Sequence, residues 1–313
     1  MAELNHFAIA AGMGATLGPR VPVHHGQIGS AELAATLSGL LERRKQYVES
    51  LSAHDDVSRK YEKAVIQAYG LVRQGYSSDR VLADPQINAA YIKACRDLGL
   101  DDDTFHLNLA LIGLRKHNKL KAKSLRSRVP DLWRYAVASE IAARAIFYQY
   151  GASVDTLLAH PKLAREFDAL AGSITPGFSS FQYRWAALNV RKKGANVKLT
   201  PKELERLEWS GDLRFDVRSL PAEEGVYTLF ERNTCLFVAG TEDIDQSIQS
   251  QKRIAEVPLF EPGLWRPDPA HLSWRYVSLP DTESDYRFGV VRAVVGRWSP
   301  VFNIPRGNRK QAA

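Results

Sequence analysis

Slid against itself by 76 positions without a gap, the chain lays GYSSDRVLADPQI (75–87) on GASVDTLLAHPKL (151–163) and FHLNLALIGLRK (105–116) on FQYRWAALNVRK (181–192). Over 75–116 against 151–192, ten of 42 positions are identical, several times the chance level: Gly75/Gly151, Ser77/Ser153, Asp79/Asp155, Leu82/Leu158, Ala83/Ala159, Pro85/Pro161, Phe105/Phe181, Ala110/Ala186, Arg115/Arg191 and Lys116/Lys192. Ile87/Leu163, Tyr91/Phe167 and Leu114/Val190 extend the match as apolar replacements. No other feature limits the fold as strongly, because a module used twice must bury the same faces twice.

The period inside the module is helical. A first helix, expected over 57–74 and 133–149, stops at glycine. Pro85 or Pro161 then opens a second at its first turn, where the missing N–H costs nothing. A third begins near Phe105 or Phe181, and its apolar positions (Phe105, Leu109, Ile112; Phe181, Trp185, Leu188) recur at three and four residues, making one buried stripe. We therefore expect an α+β protein with a helical domain over 31–198, built from copies at about 57–128 and 133–198. Residues 1–30, rich in glycine and proline, read as a partly ordered arm. GMGATLG within that arm lacks the strand and βαβ unit that a dinucleotide site needs, and the pair His24 and His25 has no other ligand type nearby.

Both copies end their stripe in Arg-Lys. A cap favouring the helix dipole explains that pair, but not the continuations RKHNKLKAKSLRSR and RKKGANVK. Between Thr104 and Pro130 there is no acidic residue, while Arg115, Lys116, Lys119, Lys121, Lys123, Arg126 and Arg128 fall within 14 positions. Arg191, Lys192, Lys193 and Lys198 form the second cluster, in a chain of formal net charge +7. Such blocks are the electrostatic footprint of a phosphate-backbone partner, DNA first and RNA second, and short helices leading into them fit a helix-turn-helix or winged arrangement. The alternatives are a solvated basic face, or a helical repeat that serves as a scaffold for protein partners. No apolar stretch approaches the roughly 20 residues of a membrane span, so no membrane partner is expected and the reading is cytoplasmic. Cys95 and Cys235 stand too far apart to frame a metal knuckle or a disulfide scaffold and read as buried thiols.

In LTPKELERLEWSGDLRFDVRSLP (199–221), Thr200, Pro201 and Glu203 make a capped helix followed by a linker. Beyond it the period switches to strand-like. GVYTLF and CLFVAG joined by RNT read as a β-hairpin, LSWRYVSL (272–279) as a third strand, and Glu283 to Trp298 as a helix stopped by Pro300. With another helix near 245–256, residues 222–313 form a small β-β-α-β-α domain.

These residues resemble the GIY-YIG endonuclease superfamily: GVY at 225–227 resembles its first motif, VAG at 238–240 its second, and PVFN at 300–303 its terminal Pro-x-x-Asn. The likeness covers about 80 residues. It implies hydrolysis of a DNA phosphodiester with one divalent metal: a tyrosine that helps activate water, an arginine on the first helix, a metal-holding glutamate on the later helix, and a steadying asparagine. Tyr227 and Asn303 match. The arginine position holds Ser247 or Ile248 and the glutamate position holds Val291, which cannot hold a metal. Arg253 lies six residues past Ser247, about 9 Å along a helix, and Glu283 eight before Val291, about 12 Å. Such offsets exceed what positioned catalysis tolerates. The expectation is a DNA-binding protein with a catalytically degenerate GIY-YIG-like domain, accessory or regulatory in DNA transactions, with no metal and no cofactor. An active endonuclease using Mg²⁺ or Mn²⁺, with Arg253, Glu256 or Glu283 folded inward, is the enzymatic alternative.

Overall fold

The computed structural model describes residues 30–52, 61–120, 123–125, 129–192, 197–257 and 268–304. The expected arm, apart from Ser30, and its two histidines lie outside them. Among the described residues the protein is α+β, with twelve α-helices and one four-stranded antiparallel sheet.

The helical part comprises α1 (Ser30–Ser52), α2 (Glu62–Val72), α3 (Ser78–Ala83), α4 (Pro85–Asp97), α5 (Thr104–Lys116), α6 (Trp133–Tyr150), α7 (Val154–Ala159), α8 (Pro161–Ile174) and α9 (Ser180–Lys192). Local chemistry sets most of the boundaries. Ser77 Oγ accepts the Arg80 N–H at 3.3 Å and Ser153 Oγ the Thr156 N–H at 3.3 Å, each satisfying an orphan donor at a helix start. Pro85 and Pro161 open α4 and α8, and Gly151, with φ +76°, ends α6 in the left-handed conformation that a residue with a Cβ resists. The short helices α3 and α7 were not anticipated, since six residues are too few to display a period. Helix α5 packs on α7 and α9 packs on α3, so the elements interleave across the helical part.

Helix α6 is buried nearly all round. Ala142, Ala143 and Ile146 enter the helical core, whereas Val137, Ala138, Ile141, Ala145 and Tyr148 enter a second core with the sheet. A helix apolar on both sides belongs between layers, and here it joins the two parts of the chain into one packed body.

The stretch expected as a capped helix and linker forms α10 (Pro201–Glu205), with the Thr200/Glu203 capping box present, and then the two-residue strand β1 (Leu213–Arg214), which the sequence reading missed. Strands β2 (Gly225–Glu231), β3 (Thr234–Thr241) and β4 (Leu272–Ser278) follow, with α11 (Ile244–Gln251) after β3 and α12 (Ser284–Trp298) after β4. The order across the sheet is β1-β4-β2-β3, every pair antiparallel. All seven residues of β2 are buried, because both faces of this inner strand are covered. Val226, Val238 and Val277 meet Val290, Val291 and Val294 of α12, while Tyr227, Leu229, Phe237 and Trp274 face α6 and α11. A Cβ on Gly225 would collide with the Val277 carbonyl oxygen and come within 2.7 Å of Ile244 Cδ1, so packing alone requires the glycine of GVY.

After α12 the chain runs along the outer edge of β3. Val301 N–H donates to the Cys235 carbonyl at 3.1 Å and Phe302 N–H to the Leu236 carbonyl at 2.8 Å. From α6, Tyr148 Oη donates to the Val301 carbonyl at 2.8 Å, and Glu140 Oε1 accepts the Ile304 N–H at 2.7 Å. An edge that would otherwise offer unpaired backbone groups is thereby closed. Cys95 and Cys235 are buried free thiols, the latter pushed up to about 12 by burial. No helix among the described residues is long and apolar enough to cross a membrane.

Candidate functional site

Tyr227 points from β2 into the core beneath α11 and is 1% exposed. Its ring meets Phe237 edge-on at 6.0 Å and Trp274 at 6.1 Å between centroids. Burial raises the phenol well above its ordinary pKa, and a hydrogen bond with Ser247 offsets this only in part. Ser247 Oγ in turn lies 2.6 Å from Thr241 Oγ1, which accepts the Asp243 N–H at 2.9 Å. The structure thus brings Tyr227 beside Ser247, the position where the resemblance places an arginine. What they form is a small hydroxyl network sealed from solvent, with no route for a phosphodiester or an attacking water.

Val291 lies elsewhere. It is buried against Val226 and Val238 on the opposite face of the sheet, and its Cγ2 would stand 3.7 Å from a Cβ on Gly240. Because successive strand residues alternate faces, a carboxylate at 291 would point away from the phenol at 227. Arg253, Glu256 and Glu283 are all exposed and therefore do not converge on the sealed tyrosine. Among the described residues no three His, Cys, Asp or Glu side chains gather closely enough to hold a metal ion.

Asn303 reaches β3 in a different role. Its Oδ1 accepts the Val238 N–H at 2.9 Å and its Nδ2 donates to the Val238 carbonyl at 3.0 Å, so one side chain replaces a missing strand partner at the first residue of VAG. Sequence reasoning overlooked Arg287. One turn before Val291, it is 5% exposed and donates to Glu224 at 2.7 Å and also to Thr282. Its charge is used to tie α12 to the entry of β2; an acidic residue directly before GVY was the signal that it had a partner.

The chain matches no protein-family profile, no curated protein and no solved structure.

The basic block divides by role. Arg115 turns inward and donates to Asp79 and, at 2.8 Å, to Asp155, two carboxylates less than a tenth exposed on α3 and α7. Lys119 pairs with Glu62. Lys116, Lys123 and Lys198 are exposed and have no ion pair among the described residues. The carbonyl of Lys123 accepts from Arg73, and Leu125 N–H donates to the Gly75 carbonyl at 2.8 Å, so the middle of the loop is anchored while its lysine head stays in solvent. Lys121, Arg126, Arg128 and Lys193 lie outside the described residues, as do the side chains of Arg191 and Lys192 at the end of α9.

Proposed function

We propose that this chain binds nucleic acid through its phosphate backbone, DNA in the first place, and that its C-terminal part is a GIY-YIG-like scaffold that attaches without cutting. The observation that carries the reading is the contrast between the two places where chemistry could occur. Tyr227 is shut into the core beside a serine, whereas Lys116, Lys123 and Lys198 stand in solvent without acidic partners among the described residues. Free cations at the ends of ordered helices and on anchored loops suit a polyanion. The scaffold half of the reading draws support from the order β2, β3, α11, β4, α12 and from the bond between the PVFN asparagine and the VAG strand. A helical module used twice is supported by the matched serine caps, the matched first-turn prolines and the repeat-related pair Asp79 and Asp155 on a single guanidinium. An accessory or regulatory role in DNA transactions follows from binding without hydrolysis.

Titrating a duplex by gel shift over roughly 50–300 mM salt tests the binding half. Affinity is expected to fall steeply with salt. The combined variant Lys116→Gln, Lys123→Gln and Lys198→Gln should flatten the slope of log K against log salt by about 3, one phosphate contact for each lysine. Affinity indifferent to salt and to these substitutions would remove the reading. For the second half, supercoiled plasmid incubated with the protein and Mg²⁺ or Mn²⁺ is expected to remain supercoiled. Nicking by the wild type that vanishes in Tyr227→Phe would instead identify a working nuclease.

A further inference from the structure

At the seam between the start of α6, the loop after α8 and helix α11 lies a pocket of about 300 Å³. Two aromatic residues, Trp133 and Phe178, and two arginines, Arg134 and Arg253, line it together with Gln246 and Ser250; among the described residues no aspartate or glutamate does. Both arginines are exposed, and neither has an ion pair among the described residues. Arg134 holds its guanidinium 5.5 Å from the centroid of the Phe178 ring.

The pocket wall is built in advance. Tyr183 Oη donates to the Thr175 carbonyl, and Gln251 Nε2 donates to Thr175 Oγ1 at 3.3 Å. Gly177 adopts φ +97°, and the next residue, Phe178, packs its ring tilted against Tyr135 at 4.6 Å between centroids. A loop tied at both ends loses little freedom when a ligand arrives.

The lining makes distinct chemical demands. Two unneutralised guanidinium forks suit the oxygens of a phosphate. Flat rings, one already under a cation, suit a planar π-system, and the Gln246 amide can donate to and accept from a base edge. The volume lies at the small end of ligand sites, room for one unit and not for a duplex. Along the chain, α6 opens at Trp133, shortly after the basic run ends at Arg128.

We propose that this pocket takes a single nucleoside monophosphate unit, an unpaired base with its phosphate, at the seam between the helical part and the sheet. The inference rests on the nucleic-acid reading above and adds to it a place where one displaced nucleotide is held. The unit has two sources, a nucleotide within a strand or a free mononucleotide, and we favour the strand because in sequence the basic run shortly precedes Trp133 and Arg134 of the pocket.

Fluorescence anisotropy with the full chain tests it, using a fully paired labelled duplex, the same duplex with one bulged adenine, and free AMP as competitor. The bulged duplex is expected to bind about tenfold tighter. Arg134→Gln and Arg253→Gln, each on the surface and checked by thermal melting, should erase that preference while leaving paired-duplex affinity within about threefold. Salt-sensitive binding with no preference for the bulge overturns the pocket and leaves the nucleic-acid reading intact. AMP binding that needs both arginines, without any binding of either duplex, supports a nucleotide pocket but overturns the nucleic-acid reading. Failure to bind any of the three probes overturns both.

Discussion

Arg115→Leu destabilises the protein by about 3–5 kcal/mol, the effect expected when a cation is removed from buried carboxylates. In sequence Arg115 opens the basic run and looks like the first of its surface cations. In the fold it reaches across 36 and 40 residues to Asp79 and Asp155, which are too buried for water to neutralise in its place. Urea denaturation should show a lower midpoint with an unchanged slope. Adding Asp79→Asn and Asp155→Asn to Arg115→Leu should restore much of the loss, since the charges that made the vacancy costly are then gone. If Arg115→Leu keeps its full stability and instead weakens DNA binding, the residue is a phosphate contact and its ion pairs are incidental.

Asn303→Ala costs about 2–5 kcal/mol, because two backbone groups of Val238 lose their partner at a site only 3% exposed. Asn303→Asp is worse. A carboxylate can still accept from the Val238 N–H, but it cannot donate to the carbonyl and it brings a charge into the interior. Chemical denaturation followed by tryptophan fluorescence measures both, with Trp274 reporting from the sheet core. A variant within about 0.5 kcal/mol of wild type would mean that Asn303 is dispensable to the fold. The expected loss has a functional corollary: the motif asparagine is here a backbone clamp, so its presence carries no information about hydrolysis.

Much of the local structure was legible. Thr200 and Glu203 announced their capping box, Pro85 and Pro161 their helix starts, and the polar RNT its hairpin, in which Arg232 adopts φ +52°. Each depends on groups within a few residues of one another. The helix expected over 57–74 is described at Glu62–Val72, while α3, α7 and β1 went unseen, because elements of two to six residues contain too little pattern to register. The pleat likewise separated Val226 from Tyr227, but alternation cannot say which face meets which helix.

For the candidate site the division is sharper. Residue identities alone showed that Val291 cannot bind a metal and that no arginine stands at Ser247. That the phenol is sealed, that Ser247 hydrogen-bonds with it, and that α12 covers the other face depended on how the layers stacked.

Sequence by itself determined the helical period with its 76-residue recurrence, the strand-like alternation of GVYTLF and CLFVAG and the surplus of positive charge. Only the tertiary structure decided that Arg115 faces inward, that one helix serves two cores, and that Trp133, Arg134, Phe178 and Arg253 meet at one pocket. The reason is physical: propensities, caps and pleats act between neighbours along the chain, whereas burial and charge pairing depend on distances in space that close only when the layers pack.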